Sequence, residues 1–400
     1  MLQKYVNGVA QEEYKQGELI SDYEYDTFNE CNDGNKNPDE DIEDFIYQWV
    51  VVSGTYVCNN GNKYQEEKEQ RSSDNGATWQ DTGRTRQGSL IEVNSTDCGY
   101  ANQYLTFVAL EDGTFSFTNS DIQYSLDKGS TWTTLAANAS TPTVTTGNKI
   151  MWKATLTPKS SNGIGTFAST GRYDVEGNVM SLLYSDNFVG QTDLTGKNYA
   201  FHSLFASNTN LVNANNLVLP ATTLANECYD GMFSNCTSLV TAPELPATTL
   251  TRGCYYSMFQ GCTSLATAPE LPATTLANEC YDRMFFGCTS LATAPELPVT
   301  TLTGGCYYSM FQGCTSLVTA PVLPATTLIT ACYHQMFDGC TSLNYIKAMF
   351  TTTPSSSFTT RDWVRGVASS GTFVKNSAAT WNVRGDEGIP NGWTIQTASE

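Results

Sequence analysis

The sequence CYDGMFSNCTSLVTAPELPATTL at residues 228–250 returns with small changes from Cys254, Cys280, Cys306 and Cys332, a step of 26 residues. Each unit keeps two cysteines, a Met-Phe pair and a Thr-Ser-Leu, and each is preceded by Leu-Pro. A unit of this length is too small to bury its own apolar face, so neighbouring units must bury it for one another. The sequence therefore predicts a solenoid of stacked coils.

The positions that recur in every unit are predicted to form the interior of this stack: both cysteines, the Met-Phe pair and three leucines. Cysteine in such a position is usually a small buried hydrophobe, which favours a ladder of free thiols. Disulfides within or between coils are a second alternative. Metal binding is a third, disfavoured because the pairs lack C-x-x-C spacing and the only histidines are His202 and His334. The second cysteine of each pair is assigned a structural role: Cys236, Cys262, Cys288, Cys314 and Cys340.

The run from Met232-Phe233 through Cys236-Thr237-Ser238-Leu239, with its four equivalents, resembles the BspA-like class of leucine-rich repeats. This class occurs on bacterial surface proteins, particularly of Bacteroidetes, and in their phages and prophages. The resemblance covers about 202–350, although the first Cys and Tyr replace the Ile-Gly that usually precedes the aromatic pair. Residues 204–220 are interpreted as a degenerate first coil, two residues longer and without cysteine, as expected of a terminal repeat.

Positions that differ between units are predicted to lie on the outside. The units alternate between ANECYD, at 225–230 and 277–282, and TRGCYY or TGGCYY, at 251–256 and 303–308. Exposed tyrosine beside Asp, Arg and Gln is typical of protein-binding surfaces. The alternative is that these are solvated positions, free to vary. The predicted binding residues are Asp230, Arg252, Tyr256, Arg283, Tyr308, His334 and Gln335.

The flanking sequence shows apolar–polar alternation of period two, broken by Asp-Gly and Ser-Asn-Gly turns, which predicts antiparallel strands. Tryptophans and glycines in the last 50 residues predict a small β-rich cap that closes the open end of the stack. The predicted fold class is mainly β and multidomain. Its segments are an acidic attachment or linker segment (1–45), a small β domain (46–100), a β-sandwich-like domain (101–200), the solenoid (201–345) and the cap (346–400).

Two segments, SSDNGATW at 72–79 and SLDKGSTW at 125–132, resemble the Asp-box of sialidases. The resemblance implies a folding device in which Asp and Ser bind backbone groups of a hairpin, Gly adopts positive φ, and Trp packs beneath. It does not imply catalysis, and no Asp/Glu pair or Ser/His/Asp set is singled out elsewhere, so the chain is predicted to be a non-enzyme without cofactor or metal. The structural residues implied are Ser72, Asp74, Gly76, Trp79, Ser125, Asp127, Gly129 and Trp132.

Composition excludes several partners. The net charge of −19, with only 21 Lys and Arg, argues against binding to nucleic acid or to an anionic membrane, because both require basic patches. No run of 18 apolar residues is present to span a bilayer. The start, MLQKYVNGVAQEEYKQ, lacks the apolar stretch and cleavage site of a signal peptide, so export by that route is not expected.

These features favour a chain built to display a surface. The first hypothesis is a phage virion protein, a head or tail fibre-like appendage that binds the host surface. The alternative is a secreted bacterial BspA-like adhesin, and a glycosidase is a distant third. The expected partners are other virion proteins through the N-terminal segment and a host surface glycan or protein. Fibre attachment is usually symmetric, so a homo-oligomer, most plausibly a trimer, is expected at the virion surface.

Overall fold

The computed structural model describes residues 5–6, 9–10, 46–59, 62–72, 77–92, 102–354 and 359–398. Within these ranges the only α-helix is α1 (Ser181–Tyr184). Two 3-10 turns are also present, at Ser160–Asn162 and Ser185–Asn187. The expectation of a mainly β protein is therefore confirmed. The chain divides into two compact units, Met1–Asn59 with Lys63–Glu92, and Asn60–Asn62 with Val93–Glu400.

The N-terminal compact unit contains a short antiparallel pair and a three-stranded sheet in the order β3-β4-β5. β4 and β5 are antiparallel, with register shifts that mark bulges. Arg86 connects the strands, because its Nε lies 2.9 Å from Glu67 Oε2 and its guanidinium lies 4.4 Å above the ring of Trp49. The strands are β1 (Tyr5–Val6), β2 (Val9–Ala10), β3 (Ile46–Asn59), β4 (Asn62–Ser72) and β5 (Gln80–Glu92).

The C-terminal compact unit begins with a six-stranded sheet in the order β13-β12-β6-β10-β8-β9 and a two-stranded sheet, β11-β7. Phe107 lies at the centre of an aromatic core, with ring centroids of Phe115, Trp152, Phe167 and Tyr173 within 4.8–5.4 Å. The strands are β6 (Leu105–Ala109), β7 (Phe115–Phe117), β8 (Ile122–Ser125), β9 (Thr133–Leu135), β10 (Lys149–Lys153), β11 (Phe167–Ser169), β12 (Tyr173–Asn178) and β13 (Asn216–Val218).

The six-stranded sheet continues into the repeats without a boundary at 200/201. β13 belongs to the expected first coil, yet it pairs in parallel with β12, where Glu176 aligns with Asn216. Phe205 of the same coil packs against Phe107 and Phe167. The physical reason is that a terminal coil exposes one apolar face, and here β12 and its core cover that face. The structure thus divides this region differently from the separate 101–200 and 201–345 segments expected from the sequence.

The repeat array is defined as five repeats of 26 residues: 222–247, 248–273, 274–299, 300–325 and 326–351. Each repeat contains a run of turns in which consecutive backbone N–H groups donate alternately to a carbonyl of the same repeat and to a carbonyl of the next repeat. In repeat 2, Tyr256 N donates to Gly253 O three residues back, whereas Tyr255 N donates to Cys280 O and Ser257 N to Asp282 O in repeat 3. The alternation satisfies every second N–H inside the repeat and every other one between repeats, which holds successive repeats in register.

The same run places side chains in pairs, two in the interior and the next two in neighbouring columns of varied residues, which explains the pattern C-Y-x-x-M-F-x-x-C. In repeat 3, Tyr281 and Phe285 face the interior and stack on the equivalent rings of the neighbouring repeats. Across the array, the tyrosine centroids lie 5.8–6.0 Å apart and the phenylalanine centroids 5.4–5.8 Å apart. All ten array cysteines are free and buried.

Glycine before the second cysteine has a backbone reason. Gly261, Gly287, Gly313 and Gly339 have φ of 71–75°, the left-handed region that glycine enters without a steric cost. These glycines also stack on one another, because a Cβ added at Gly313 would lie 3.6 Å from the Cα of Gly287. The Gly-Cys dipeptide of the motif thus combines a turn residue with an interior residue.

The segment after Thr-Ser-Leu forms single parallel bridges in the middle repeats, such as Thr267 with Thr293. Full strands appear only at the C-terminal end, in a parallel sheet of the order β14-β15-β16. The strands are β14 (Tyr345–Ala348), β15 (Thr372–Lys375) and β16 (Thr394–Thr397).

The region expected to form a separate cap from residue 346 continues the stack instead. Phe337 N donates to Trp363 O and Gly339 N to Arg365 O, the same links that join one repeat to the next. The boundary at 345/346 falls inside β14. Trp363, Trp381 and Trp393 are buried, so these large rings fill the last coils where the repeats have smaller side chains.

Candidate binding surface

The residues between the interior pairs of the turn run form two neighbouring columns along the array, here called the outer stripe. Their side chains are half-buried or, as at Ser257, Asp282, Ser309 and His334, buried. Backbone links such as Gly231 N to Tyr256 O (2.8 Å) and Arg283 N to Tyr308 O (2.8 Å) set its register. The first column contains Asp230, Tyr256, Asp282, Tyr308 and His334, and the second contains Gly231, Ser257, Arg283, Ser309 and Gln335.

Six of the seven residues predicted from the sequence to lie on the outside fall in the outer stripe, where five are half-buried and His334 is buried rather than exposed. The seventh, Arg252, lies four residues before Tyr256 in another column. Its guanidinium is exposed, with Nη2 2.9 Å from Glu279 Oε2 and Nη1 3.7 Å from Glu227 Oε1. Exposed pairs of this kind contribute about 0–1 kcal/mol, so Arg252 links three repeats without strongly stabilising them.

Arg283 is held between two tyrosines. Its guanidinium carbon lies 5.6 Å from the ring centroid of Tyr256 and 5.0 Å from that of Tyr308. Nη1 also donates a hydrogen bond to Tyr256 Oη and lies 3.5 Å from Asp282 Oδ1. A cation above a tyrosine ring is attracted by the negative face of the ring, which makes this arrangement favourable. The stripe therefore already accommodates one guanidinium of its own.

Asp282 is a functional candidate that the sequence reasoning missed, although it stands 52 residues after Asp230 in an identical ANECYD context. The residue is 7% exposed, and its Oδ1 has no hydrogen bond. Burial raises the pKa of Asp282 to about 7, which Arg283 opposes and Glu279 and Asp230 reinforce. Buried carboxylates are normally paired and hydrogen-bonded, so this one is under-compensated.

Asp230 has a similar environment in repeat 1. Burial, with a further contribution from Glu227, raises the pKa of Asp230 to about 7. Its Oδ2 lies 3.5 Å from Nε2 of His202, in the preceding coil. Burial lowers the pKa of His202 despite the opposing charge of Glu227, so the imidazole is neutral near pH 7. His202 therefore does not neutralise Asp230 at that pH.

The C-terminal end of the stripe is tied together by rings. The rings of Tyr308 and His334 lie 4.6 Å apart, and Tyr308 Oη donates to Gln335 Oε1 over 3.3 Å. Burial and the nearby charge of Arg361 lower the pKa of His334. The stripe thus contains aromatic rings, the guanidinium of Arg283 and two carboxyl groups whose pKa burial raises, Asp230 and Asp282.

The Asp-box hairpin between β8 and β9 is chemically different. Asp127 Oδ1 accepts hydrogen bonds from Ser125 Oγ (2.7 Å) and Thr131 N (2.8 Å), and Oδ2 accepts one from Thr131 Oγ1 (2.6 Å). The two bonds from Thr131, with that from Ser125, lower the pKa of Asp127 to about 2. Gly129 has φ of 84° and donates its N–H to Ser125 Oγ. A carboxylate hydrogen-bonded in this way to its own hairpin holds the turn in place.

Trp132 of the same hairpin packs at its base. Its ring centroid lies 5.0 Å from that of Tyr104, and Lys153 Nζ lies 4.3 Å from it. For the other Asp-box-like segment, Ser72 and Trp79 are described, and Ser72 is buried. The predictions for Asp74 and Gly76 lie outside the described residues.

No other kind of site emerges from the described part of the chain. No three His, Cys, Asp or Glu residues there are grouped so that they could hold a metal ion. None of its helices has the length and apolar character needed to cross a bilayer. Two small open cavities, of about 160 and 270 Å³, lie along the proline-bearing side of repeats 2–4, away from the outer stripe.

Comparison with known proteins identifies no relative. No protein-family model, no curated protein and no solved structure matched the chain.

Proposed function

We propose that this chain is a non-enzymatic binding protein and that the outer stripe is its binding surface. The observation that carries the proposal is the contrast between the columns of the array. Interior columns repeat the same residue in every repeat, whereas the outer stripe changes and collects tyrosines, an arginine and under-compensated carboxylates. Tyrosine and arginine are enriched among the residues that dominate the energetics of protein-binding surfaces.

The array itself is proposed to be a leucine-rich-repeat solenoid of the BspA-like class. The stacking of equivalent rings and the alternating links between repeats support a solenoid. The Met-Phe and Cys-Thr-Ser-Leu motif supports the class. An extended, quasi-one-dimensional stack presents the same face of every coil to one side, which suits recognition of a large partner.

We further propose that the protein is a phage virion appendage, a head or tail fibre-like protein that attaches to the host surface. The support is the resemblance of its repeats to those of surface proteins of Bacteroidetes and of their phages. In this arrangement the N-terminal segment contacts other virion proteins, and the outer stripe contacts a host surface protein or glycan.

Immunogold labelling of the producing culture tests the virion placement. An antibody to this chain should decorate phage particles, and the position of the gold distinguishes head from tail. Gold on cell envelopes with clean particles would reject the virion and establish the bacterial adhesin instead.

Binding through the stripe is tested with the full purified chain on host cells. The double variant Tyr256→Ser/Tyr308→Ser should reduce cell binding about tenfold, since it removes both tyrosines that flank Arg283. The matched control Val240→Ser/Val318→Ser removes two exposed side chains of the same array elsewhere and should leave binding unchanged. Equal losses in both variants would place the binding surface outside the stripe.

A further inference from the structure

The outer stripe contains the same aspartate environment twice, but only one copy has an arginine. In repeat 3, Arg283 follows Asp282 and its guanidinium lies between the rings of Tyr256 and Tyr308. In repeat 1, the residue that follows Asp230 is Gly231. The position that Arg283 occupies in repeat 3 therefore has no guanidinium in repeat 1, where the equivalent residue is Gly231.

The surroundings of Asp230 otherwise match those of Asp282. Tyr256 is the next residue of the column on one side, and His202 stands beside Asp230 on the other, so an aromatic ring flanks the carboxylate in both directions. Among the described residues, His202 is the only basic side chain within 4.0 Å of Asp230. Glu227 adds a second negative charge close enough to raise the pKa of Asp230.

We propose that Asp230, Tyr256 and His202 form a subsite for an arginine side chain of a partner protein. The proposal deepens the proposed function and rests on it, because it names the partner chemistry of the same surface. A guanidinium is favoured over an ammonium because it is planar, more weakly hydrated and able to stack on a ring while it donates to a carboxylate. Arg283, whose guanidinium lies between two tyrosine rings and 3.5 Å from Asp282 Oδ1, demonstrates that this stripe accommodates a guanidinium.

The charge balance supports a cationic partner. The chain carries a net charge of −19, and near the subsite Glu227 and Glu279 share Arg252 as their cation. An incoming arginine would replace the missing counter-charge of a carboxylate that is only 18% exposed. Bringing that charge to Asp230 removes an electrostatic cost of the free protein, which favours the bound state.

Gly231 provides the sharpest test. Gly231→Arg would place an internal guanidinium beside Asp230, as Arg283 does beside Asp282. The backbone permits it, since Gly231 has φ of 58° and Arg283 already occupies the equivalent position with φ of 52°. A Cβ at Gly231 would meet Ser203 Oγ at 3.4 Å, an ordinary contact. The matched control is Gly304→Arg, which adds the same charge at the position equivalent to Arg252.

Calorimetric titration of the full chain with a capped peptide containing three arginines, in about 50 mM salt, measures the subsite directly. Binding should weaken about tenfold in Asp230→Asn and in Gly231→Arg, and should stay within about twofold of the parent in Gly304→Arg. The matching lysine peptide should bind more weakly than the arginine peptide. If Gly231→Arg does not fold, Asp230→Asn decides alone.

The proposal is overturned if the arginine peptide does not bind, if it binds Asp230→Asn as tightly as the parent, or if chitosan oligosaccharides compete better than arginine, which would indicate an amino-sugar partner. Failure of the arginine subsite can be distinguished from failure of the proposed function. Cell binding through the stripe without arginine binding would reject only the subsite. Arginine binding by a chain that decorates neither particles nor cells would reject only the proposed function.

Discussion

The interior columns of the repeat array and its outer stripe are built from the same turns, yet they follow opposite rules. Inside, Tyr281 stacks on Tyr255 and Tyr307, its own kind, at 5.9 Å on both sides. Outside, the neighbouring column alternates, so that Asp282 stands between Tyr256 and Tyr308. Interior rings stacked at this spacing repeat one shape in every unit, whereas the outer column accommodates different side chains in successive units. Variation in a repeat protein therefore marks the surface on which a function can be placed.

The largest effect that tests this contrast is the loss of an interior ring. Phe285→Ala should lower the free energy of unfolding by about 3–5 kcal/mol, because the ring is fully buried and stacked on both sides. Urea denaturation followed by tyrosine fluorescence measures it. Phe286→Ala, one residue further on and only partly buried, is the control and should cost less than about 1 kcal/mol. Similar costs for the two variants would remove the distinction between the columns.

The next effect concerns the pH dependence of stability and separates the stripe from the Asp-box hairpin. The pKa of Asp282 is raised from 3.8 to about 7 in the folded state, so the protonated form is the one that folding favours. Its favourable contribution is complete below pH 3.8 and is lost as pH rises through about 7. Asp282→Asn should therefore raise the free energy of unfolding at pH 8 relative to the parent, by on the order of 1–2 kcal/mol, and by little at pH 4.

Asp127→Asn is the control with the opposite sign. Because hydrogen bonds lower the pKa of Asp127 to about 2, its contribution is present above pH 3.8 and is lost as pH falls towards 2. This variant should destabilise the protein at pH 8. Thermal unfolding of both variants between pH 4 and pH 8 tests the pair, and a common direction at pH 8 would contradict the assignment of the two carboxylates.

A smaller effect is expected from the left-handed turn residues. Gly287→Ala should destabilise the protein by about 1–2 kcal/mol, because φ of 71° brings a Cβ close to the following carbonyl oxygen. Gly304→Ala is matched to it, since that glycine lies outside the left-handed region and has room for a Cβ. Denaturant midpoints for the two variants should differ. Equal midpoints would indicate that the turn run relaxes without cost.

The smallest effect on stability concerns the second cysteine of a repeat. Cys288 Sγ donates to Phe259 O of the preceding repeat over 3.1 Å, a weak bond of about 0.5–1 kcal/mol. Cys288→Ser keeps a donor but makes it more polar, whereas Cys288→Ala removes it. Urea denaturation should rank the parent above both variants, and a more stable alanine variant would show that the thiol bond contributes nothing.

The same thiols have a chemical signature. Burial raises the pKa of Cys288 to about 12, so at pH 8 the thiol is neutral and unreactive. In a background with Cys31, Cys58 and Cys98 replaced by serine, a thiol reagent at pH 8 should detect no array cysteine in the folded chain and all ten in denaturant. Disulfides in freshly purified protein would contradict the ladder of free thiols. Since the folded pKa is raised, this contribution to stability is lost as pH rises from 9 towards 12.

Periodicity carried most of what could be predicted about the array. A step of 26 residues aligns equivalent side chains, so the recurring Cys, Met, Phe and Leu had to share columns, and the structure places them inside at 0–7% exposure in repeat 3. The recurring tyrosine, such as Tyr281, is buried as well, although it is not among the residues predicted from the sequence to be interior. The alternation of ANECYD with TRGCYY likewise indicated which columns vary between repeats, although the structure buries Asp282 and His334 within them. These inferences depend only on the spacing of residues along the chain, which is why a single sequence was sufficient for them.

The β-rich class, the stacking step and the Cys, Met, Phe and Leu columns of the interior thus follow from local pattern and repetition along the chain. The remaining features follow from how the segments pack. β12 pairs with β13, and the stack continues from Phe337 to Trp363. Each of these contacts joins two segments with different sequence patterns, so local sequence does not predict that they pack together. The raised pKa of Asp282 and its contact with Arg283 likewise arise from burial between neighbouring repeats. Burial and pairing are properties of the packed stack, and identical ANECYD segments acquire different neighbours once they are placed in it.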